Sequence, residues 1–231
     1  MPPRAPSDDH VLDRPVWHSL TGAHAGLARI HGSAAAYDPA LSPFAGTAGD
    51  TEKDWADLVE LLGPRGSAVL PGSPRSVPES VRVPFRGAAL QMVAEGWSPE
   101  PDPEAVELTL EDAAEMHDLA SRCKPGPFEL RTPEIGRYVG FRVDGRLVAM
   151  AGERLRPPGY TEVSAVCTDS DFRGQGFAER GIRTIAAGIV ARGETPFLHV
   201  ARDNPAVRLY TRLGFVTRRV VEVIAIVVPA R

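Results

Sequence analysis

The chain has 231 residues, a net charge of -4, 43% apolar and 24% charged residues, which is the make-up of a folded globular protein and leaves disordered, collagenous and coiled-coil classes unsupported. Lys53 and Lys124 are the only lysines and the arginines are scattered, so there is no basic block of the kind that binds nucleic acid or anionic lipid. The length suits two small domains. Cys123 and Cys167 are the only cysteines, too few for a secreted disulfide scaffold. The N-terminus shows no apolar signal-like run, and the longest apolar run near the end, VVEVIAIVV, is too short to cross a bilayer and contains Glu222. A cytoplasmic protein with neither a membrane nor a nucleic-acid partner is expected.

Residues 1–15, rich in Pro, Asp and Arg, read as a disordered tail. Residues 16–97 read as an N-terminal α+β domain. In VWHSLTGAHAGLARIHG, Val16, Leu20, Ala23, Leu27 and Ile30 recur at helical spacing, and TEKDWADLVELLG puts Trp55, Leu58, Leu61 and Leu62 on one face with Gly63 as a stop. SAVLPG and GAALQMVAEG read as strands. His18, His24 and His31 do not share a helix face as metal ligands would, so they read as surface or satisfied histidines and no metal is expected. WSPEPDPEAVELT, with three prolines and four acids, has linker composition, which makes residues 98–105 a linker with the domain boundary near residue 103.

Residues 106–231 carry clearer signals. VELTLEDAAEMHDLA gives a short strand and a helix whose start has Thr109 and Asp112 in capping-box positions. RYVGFRVDGRLVAMAGERL is a hairpin turning at Asp144-Gly145, YTEVSAVCT is the next strand, and DFRGQGFAERGIRTIAAGIV is a polar loop entering an apolar helix that Gly193 ends. TPFLHVA is a strand, Asn204 and Pro205 open a short helix that Gly214 closes, and FVTRRVVEVIAIVV ends the chain as one or two strands. The order is β, α, β, β, β, α, β, α, β. A hairpin precedes the glycine loop, while strand, helix and strand around the loop form a parallel crossover, so a mixed α+β sheet is expected rather than a doubly wound one.

Bare backbone N–H groups at a helix start, with the positive end of the helix dipole, attract phosphate, and glycine lets it approach. A mononucleotide loop would need Lys and Ser or Thr where Phe177 and Ala178 stand, and a dinucleotide loop would need glycine where Glu179 stands. RGQGFA, from Arg173 to Ala178, instead has the form R-x-x-G-x-A, and NPAVRLYTRLGF supplies Asn204, Tyr210, Gly214 and Phe215 downstream. Together these segments resemble the GNAT superfamily of acyl-CoA-dependent N-acyltransferases, over about residues 106–228. The N-terminal half is not covered, although its α+β content would allow a degenerate copy of the same fold.

The resemblance implies a mixed, mostly antiparallel central sheet flanked by helices, with acetyl-CoA as cofactor. It implies that the strands holding EVSAVCT and FLHVA splay apart, that main chain at Val166, Cys167 and Thr168 holds the pantetheine arm, and that Arg173, Gly174, Gln175, Gly176, Phe177 and Ala178 hold the pyrophosphate, with Asn204 a further contact. Tyr210 would protonate the departing thiolate. A lysine-like amine, with a pKa of about 10.4, is mostly protonated at neutral pH and needs a base. Relatives place a carboxylate at the position of Glu162; His199 is the rival, standing where some place a glutamate. Cys167 reads as a small strand residue, so direct attack in a ternary complex is preferred to a covalent enzyme intermediate. Gly181, inside the helix at a cost of about 1 kcal/mol relative to alanine, is accounted for by close packing. The acceptor would be a small-molecule or peptide amine and the enzyme an N-acetyltransferase, with homodimerisation an open option. The reading from another class is a non-catalytic acyl-CoA-binding sensor or interaction module.

Overall fold

A computed structural model describes residues 10–72 and 76–230. Residues 1–9 of the expected tail lie outside the described residues, and residues 10–15 are no tail. A 3-10 turn at Val11–Asp13 places Leu12 wholly in the core, and helix α1 (Pro15–Leu20) starts on a proline whose missing N–H is no loss in a first turn. The polar residues that made this stretch look disordered are ion-paired: Asp13 with Arg218 and Arg219 at 2.8 and 2.7 Å, Arg14 with Asp50 at 2.7 Å.

The helix expected to run on towards Ile30 stops at Leu20, and the chain passes through a 3-10 turn into strand β1 (Ala28–His31). Gly22 and Gly26 weaken a helix here. His24 pins the turn, its Nδ1 2.7 Å from the Tyr37 hydroxyl, and burial with the nearby Arg156 charge lowers its pKa to about 4. Strands β2 (Ala34–Tyr37) and β3 (Ala45–Thr47) complete a small antiparallel sheet. Helix α2 (Glu52–Leu62) begins on a capping box, in which the Thr51 N–H donates to Asp54 at 2.8 Å and the Asp54 N–H donates to Thr51 Oγ1 at 3.3 Å, and it stops at Gly63 with φ +71°.

Strands β4 (Ser67–Gly72) and β5 (Arg82–Val93) precede the expected second half. That half follows the predicted order: β6 (Val106–Leu108), α3 (Ala113–Cys123), β7 (Tyr138–Val143), β8 (Arg146–Glu153), β9 (Tyr160–Thr168), α4 (Phe177–Ala191), β10 (Thr195–Ala201), α5 (Val207–Arg212) and β11 (Val216–Val227). Asp144 and Gly145 both have positive φ, as the tight hairpin turn requires.

Among the described residues the main sheet has eight strands in the order β4-β11-β5-β10-β9-β8-β7-β6, of which only β9 and β10 pair with each other in parallel. It is the mixed sheet that the order implied and the mostly antiparallel one, flanked by helices, that the resemblance implied. The sheet also runs through the expected boundary, for β5 from before residue 103 lies between β10 and β11 from after it. The linker-like stretch is tied down by charge: Asp102 accepts from Arg180 of α4 at 2.7 and 2.9 Å, and its N–H donates to Thr184 at 2.9 Å.

Adjacent residues of β10 point to opposite faces. Leu198 packs with Ile182, Ile185 and Ile189 of α4, whereas Phe197 packs with Leu12, Val16, Tyr37 and Phe44 of the N-terminal segment. A Cβ on Gly181 would come within 3.1 Å of the Ala151 Cβ, so the glycine does allow close approach of α4 to the sheet. Among the described residues no helix is long and apolar enough to cross a membrane.

Candidate active site

Strands β9 and β10 pair only from Tyr160–Thr195 to Glu162–Phe197; beyond that point β9 stays with β8 and β10 with β5. The register of β9 against β8 slips between Met150 and Gly152, so Ala165 and Val166 oppose a single residue. Ala165 takes φ +51°, a left-handed conformation that costs a non-glycine residue about 1–2 kcal/mol. Such a bulge redirects the strand that follows it, here Val166 to Thr168, and stored strain of this kind clusters at functional sites.

A cleft of about 470 Å³ opens there, lined by Val166, Cys167 and Thr168 of β9, by Arg173, Gly174 and Gly176 of the loop, by Phe177 and Ala178 of α4, and by Tyr210 of α5. Gly174 and Gly176 have φ of +77° and +83°, and a Cβ on either would meet no atom within 4 Å. Gly176 sits at the cap position of α4 and no side chain caps the helix, so the first N–H groups of a 15-residue helix are left as donors. Thr168 Oγ1 is buried without a hydrogen-bond partner among the described residues. Free donors, an orphaned hydroxyl and Arg173 in one cleft fit the phosphate and amide groups of an acyl-CoA.

Two expected contacts are not brought into the lining. Gln175 is exposed between the two glycines, and Asn204 Oδ1 accepts from the Ala206 N–H at 2.9 Å, capping the turn before α5. Cys123, at the end of α3, is a cleft residue that sequence reasoning missed, since nothing in its spacing links it to β9. Its thiol is 3.3 Å from the Thr168 carbonyl. Contact with the Cys167 thiol lowers the Cys123 pKa, against the opposing effect of burial, and Arg122 and Arg173 add to the lowering. The Cys167 thiol is raised by the same contact and by its burial, as suits a strand residue rather than a nucleophile.

Tyr210 packs edge-on to Phe215, with ring centroids 5.9 Å apart, and burial pushes its phenol up to about 12. Among the described residues nothing is hydrogen-bonded to its hydroxyl.

Glu162 and His199 do not line this cleft. The fold joins the two rivals into one pair, His199 Nδ1 lying 2.7 Å from Glu162 Oε1. Glu162 is fully buried and also accepts from Arg154 at 2.7 and 2.8 Å. Burial alone would raise its pKa, but the Arg154 charge and the hydrogen bonds from Arg154 and His199 hold the carboxyl well below its usual range. Arg154 was not foreseen, because the loop between β8 and β9 folds it back: its N–H donates to the Glu162 carbonyl at 3.0 Å, and the Glu162 N–H donates to the Leu155 carbonyl at 2.8 Å.

The FR47-like protein family model matches residues 138–224. A crystal structure of a protein assigned to the GNAT acetyltransferases, from Novosphingobium aromaticivorans, is 43% identical with a TM-score of 0.87, the match covering 94% of this chain and 98% of that one. A GCN5-related N-acetyltransferase from Kribbella flavida shares the fold at 18% identity and a TM-score of 0.60, with 94% and 96% of the two chains covered. No curated protein matches the sequence. With both halves included in a match at that identity, the chain belongs to the GNAT family of acetyltransferases.

Proposed function

We propose that the protein moves an acetyl group from acetyl-CoA to an amine by direct attack within a ternary complex. The observation that carries this reading is the paired left-handed glycines at the uncapped start of α4, lining one cleft with Val166, Cys167 and Thr168 of β9. Acetyl-CoA supplies a thioester carbonyl open to attack by nitrogen. The N–H groups from Gly174 to Ala178, with Arg173, hold its phosphates, and main chain at Val166 and Thr168 with the unpartnered Thr168 hydroxyl orients the arm. Tyr210 keeps a proton at Oη throughout the neutral range, because its phenol titrates at about 12. It is a weaker acid than a thiol, whose pKa is about 8.5. It therefore steadies a departing sulfur by donating a hydrogen bond, and it gives up its proton only as another replaces it.

The donor site is tested through Cys123, the less buried of the two free cysteines and a residue of the cleft wall. Its lowered pKa makes it the faster to alkylate at neutral pH. Acetyl-CoA at about ten times its Kd or more is expected to slow iodoacetamide labelling of Cys123, followed by mass spectrometry, by about tenfold or more. Equal labelling rates with and without acetyl-CoA would place the cofactor elsewhere.

A further inference from the structure

His199 is held from both sides. Its Nδ1 meets Glu162 at 2.7 Å and its Nε2 meets the Gln91 amide nitrogen at 3.1 Å. The Gln91 orientation is set by two further bonds, for its Nε2 also donates to the Leu12 carbonyl at 2.8 Å while its Oε1 accepts from Arg218 at 2.7 Å. Arg218 in turn is anchored by Asp13 at 2.8 Å. An amide nitrogen only donates, so His199 Nε2 must accept and Nδ1 must carry the proton that goes to Glu162. Both ring nitrogens are then used.

Glu162 is equally committed. Three of about four acceptor directions of its carboxylate are filled, two by Arg154 and one by His199, and the residue has no exposed surface. The groups around the pair and its Arg154 partner complete the enclosure: Tyr37 of β2 and Tyr138 of β7, both raised chiefly by burial and in part by the Glu162 charge, and the Phe44 ring 4.7 Å from the Arg154 guanidinium. The one acceptor direction left on Glu162 is buried with the rest of the residue, so an incoming ammonium meets no exposed lone pair there.

We propose that Glu162 and His199 are positioning residues rather than proton acceptors, and that the acceptor is an amine of low basicity, of the α-amino kind, which reaches the cleft already neutral. This rests on the acetyl-transfer reading. In the net exchange the nitrogen gains the acetyl carbon, the C–S bond breaks, and the proton lost by nitrogen ends on sulfur. A neutral amine therefore leaves no proton for a protein group to keep; only the extra proton of an ammonium would need a base. At pH 7 about one in seven α-amino groups is neutral, against about one in 2,500 lysine-like amines, from pKa values of about 7.8 and 10.4. The expected preference in kcat/KM is on the order of 300-fold.

The test uses the wild-type protein, since removing one partner of a buried ion pair threatens the fold. The kcat/KM for alaninamide and for Nα-acetyl-lysine amide is measured against pH, and the His199 ring is observed by 15N NMR at pH 7.5. The expected result is an acid limb whose midpoint follows the amine, separating the two profiles by about 2.5 pH units, with His199 as the Nδ1–H tautomer. A common midpoint for both amines would reveal a protein base and overturn the acceptor assignment alone. An imidazolium or an Nε2–H tautomer would overturn the positioning role. Failure to acetylate either amine, in protein that binds acetyl-CoA, would overturn the acceptor assignment together with the reading it rests on.

Discussion

Gly176→Glu is expected to weaken acetyl-CoA binding by about two orders of magnitude or more, read by calorimetry. The position combines two features that favour glycine. Its φ of +83° is a backbone state that costs an ordinary residue about 1–2 kcal/mol, and its open side faces the cleft. In the proposed complex a carboxylate placed there would meet the anionic phosphates at the end of α4 that attracts them. Like charges about 4 Å apart repel by about 4 kcal/mol at the effective dielectric of a protein surface. Gly193→Glu is the matched control. Gly193 also has a positive φ, +76°, and open space around it, but it lies beyond the other end of α4. The control should share the backbone cost and keep acetyl-CoA affinity. Equal losses in the two variants would show that the effect is strain and not occupancy.

Tyr210→Phe is expected to lower kcat by about 10²- to 10⁴-fold, the range of a positioned proton donor, while acetyl-CoA affinity and melting temperature stay near wild type. The split follows from how the residue is held. Its ring packs against Phe215 in the α4-side core, a contact phenylalanine preserves, whereas its hydroxyl has no hydrogen-bond partner among the described residues and sits in the cleft wall. The bland role, a helix-core aromatic, predicts no change in kcat. Single-turnover and steady-state rates at neutral pH separate the two outcomes.

The parts of this architecture written in local sequence were legible. Helical spacing, Asp144-Gly145, the Thr109 cap and the glycine stops each depend on residues a few positions apart, so the element order from β6 to β11 could be read off. The glycine pair was legible for the same reason, since a left-handed turn before an apolar helix is a local requirement. What stayed hidden was long-range. β2, four residues buried at every position, has no polar alternation to mark it, and α1 ends early because His24 finds Tyr37. Asp13 and Asp102 looked like solvated acids until Arg218 and Arg180 were placed opposite them. In the same way Glu162 and His199 were each credible bases taken singly. Only the fold shows Arg154 closing on Glu162 and Gln91, itself held by the Leu12 carbonyl, closing on His199.

The central claim, acetyl transfer from acetyl-CoA to an amine, is met most directly by mass spectrometry of alaninamide incubated with acetyl-CoA and the purified protein. The account predicts N-acetylated alaninamide accumulating over many turnovers, at a rate proportional to protein concentration. Unmodified amine across a panel of α-amino compounds, from protein whose melting temperature acetyl-CoA still raises, would contradict it and identify a non-catalytic acyl-CoA-binding module.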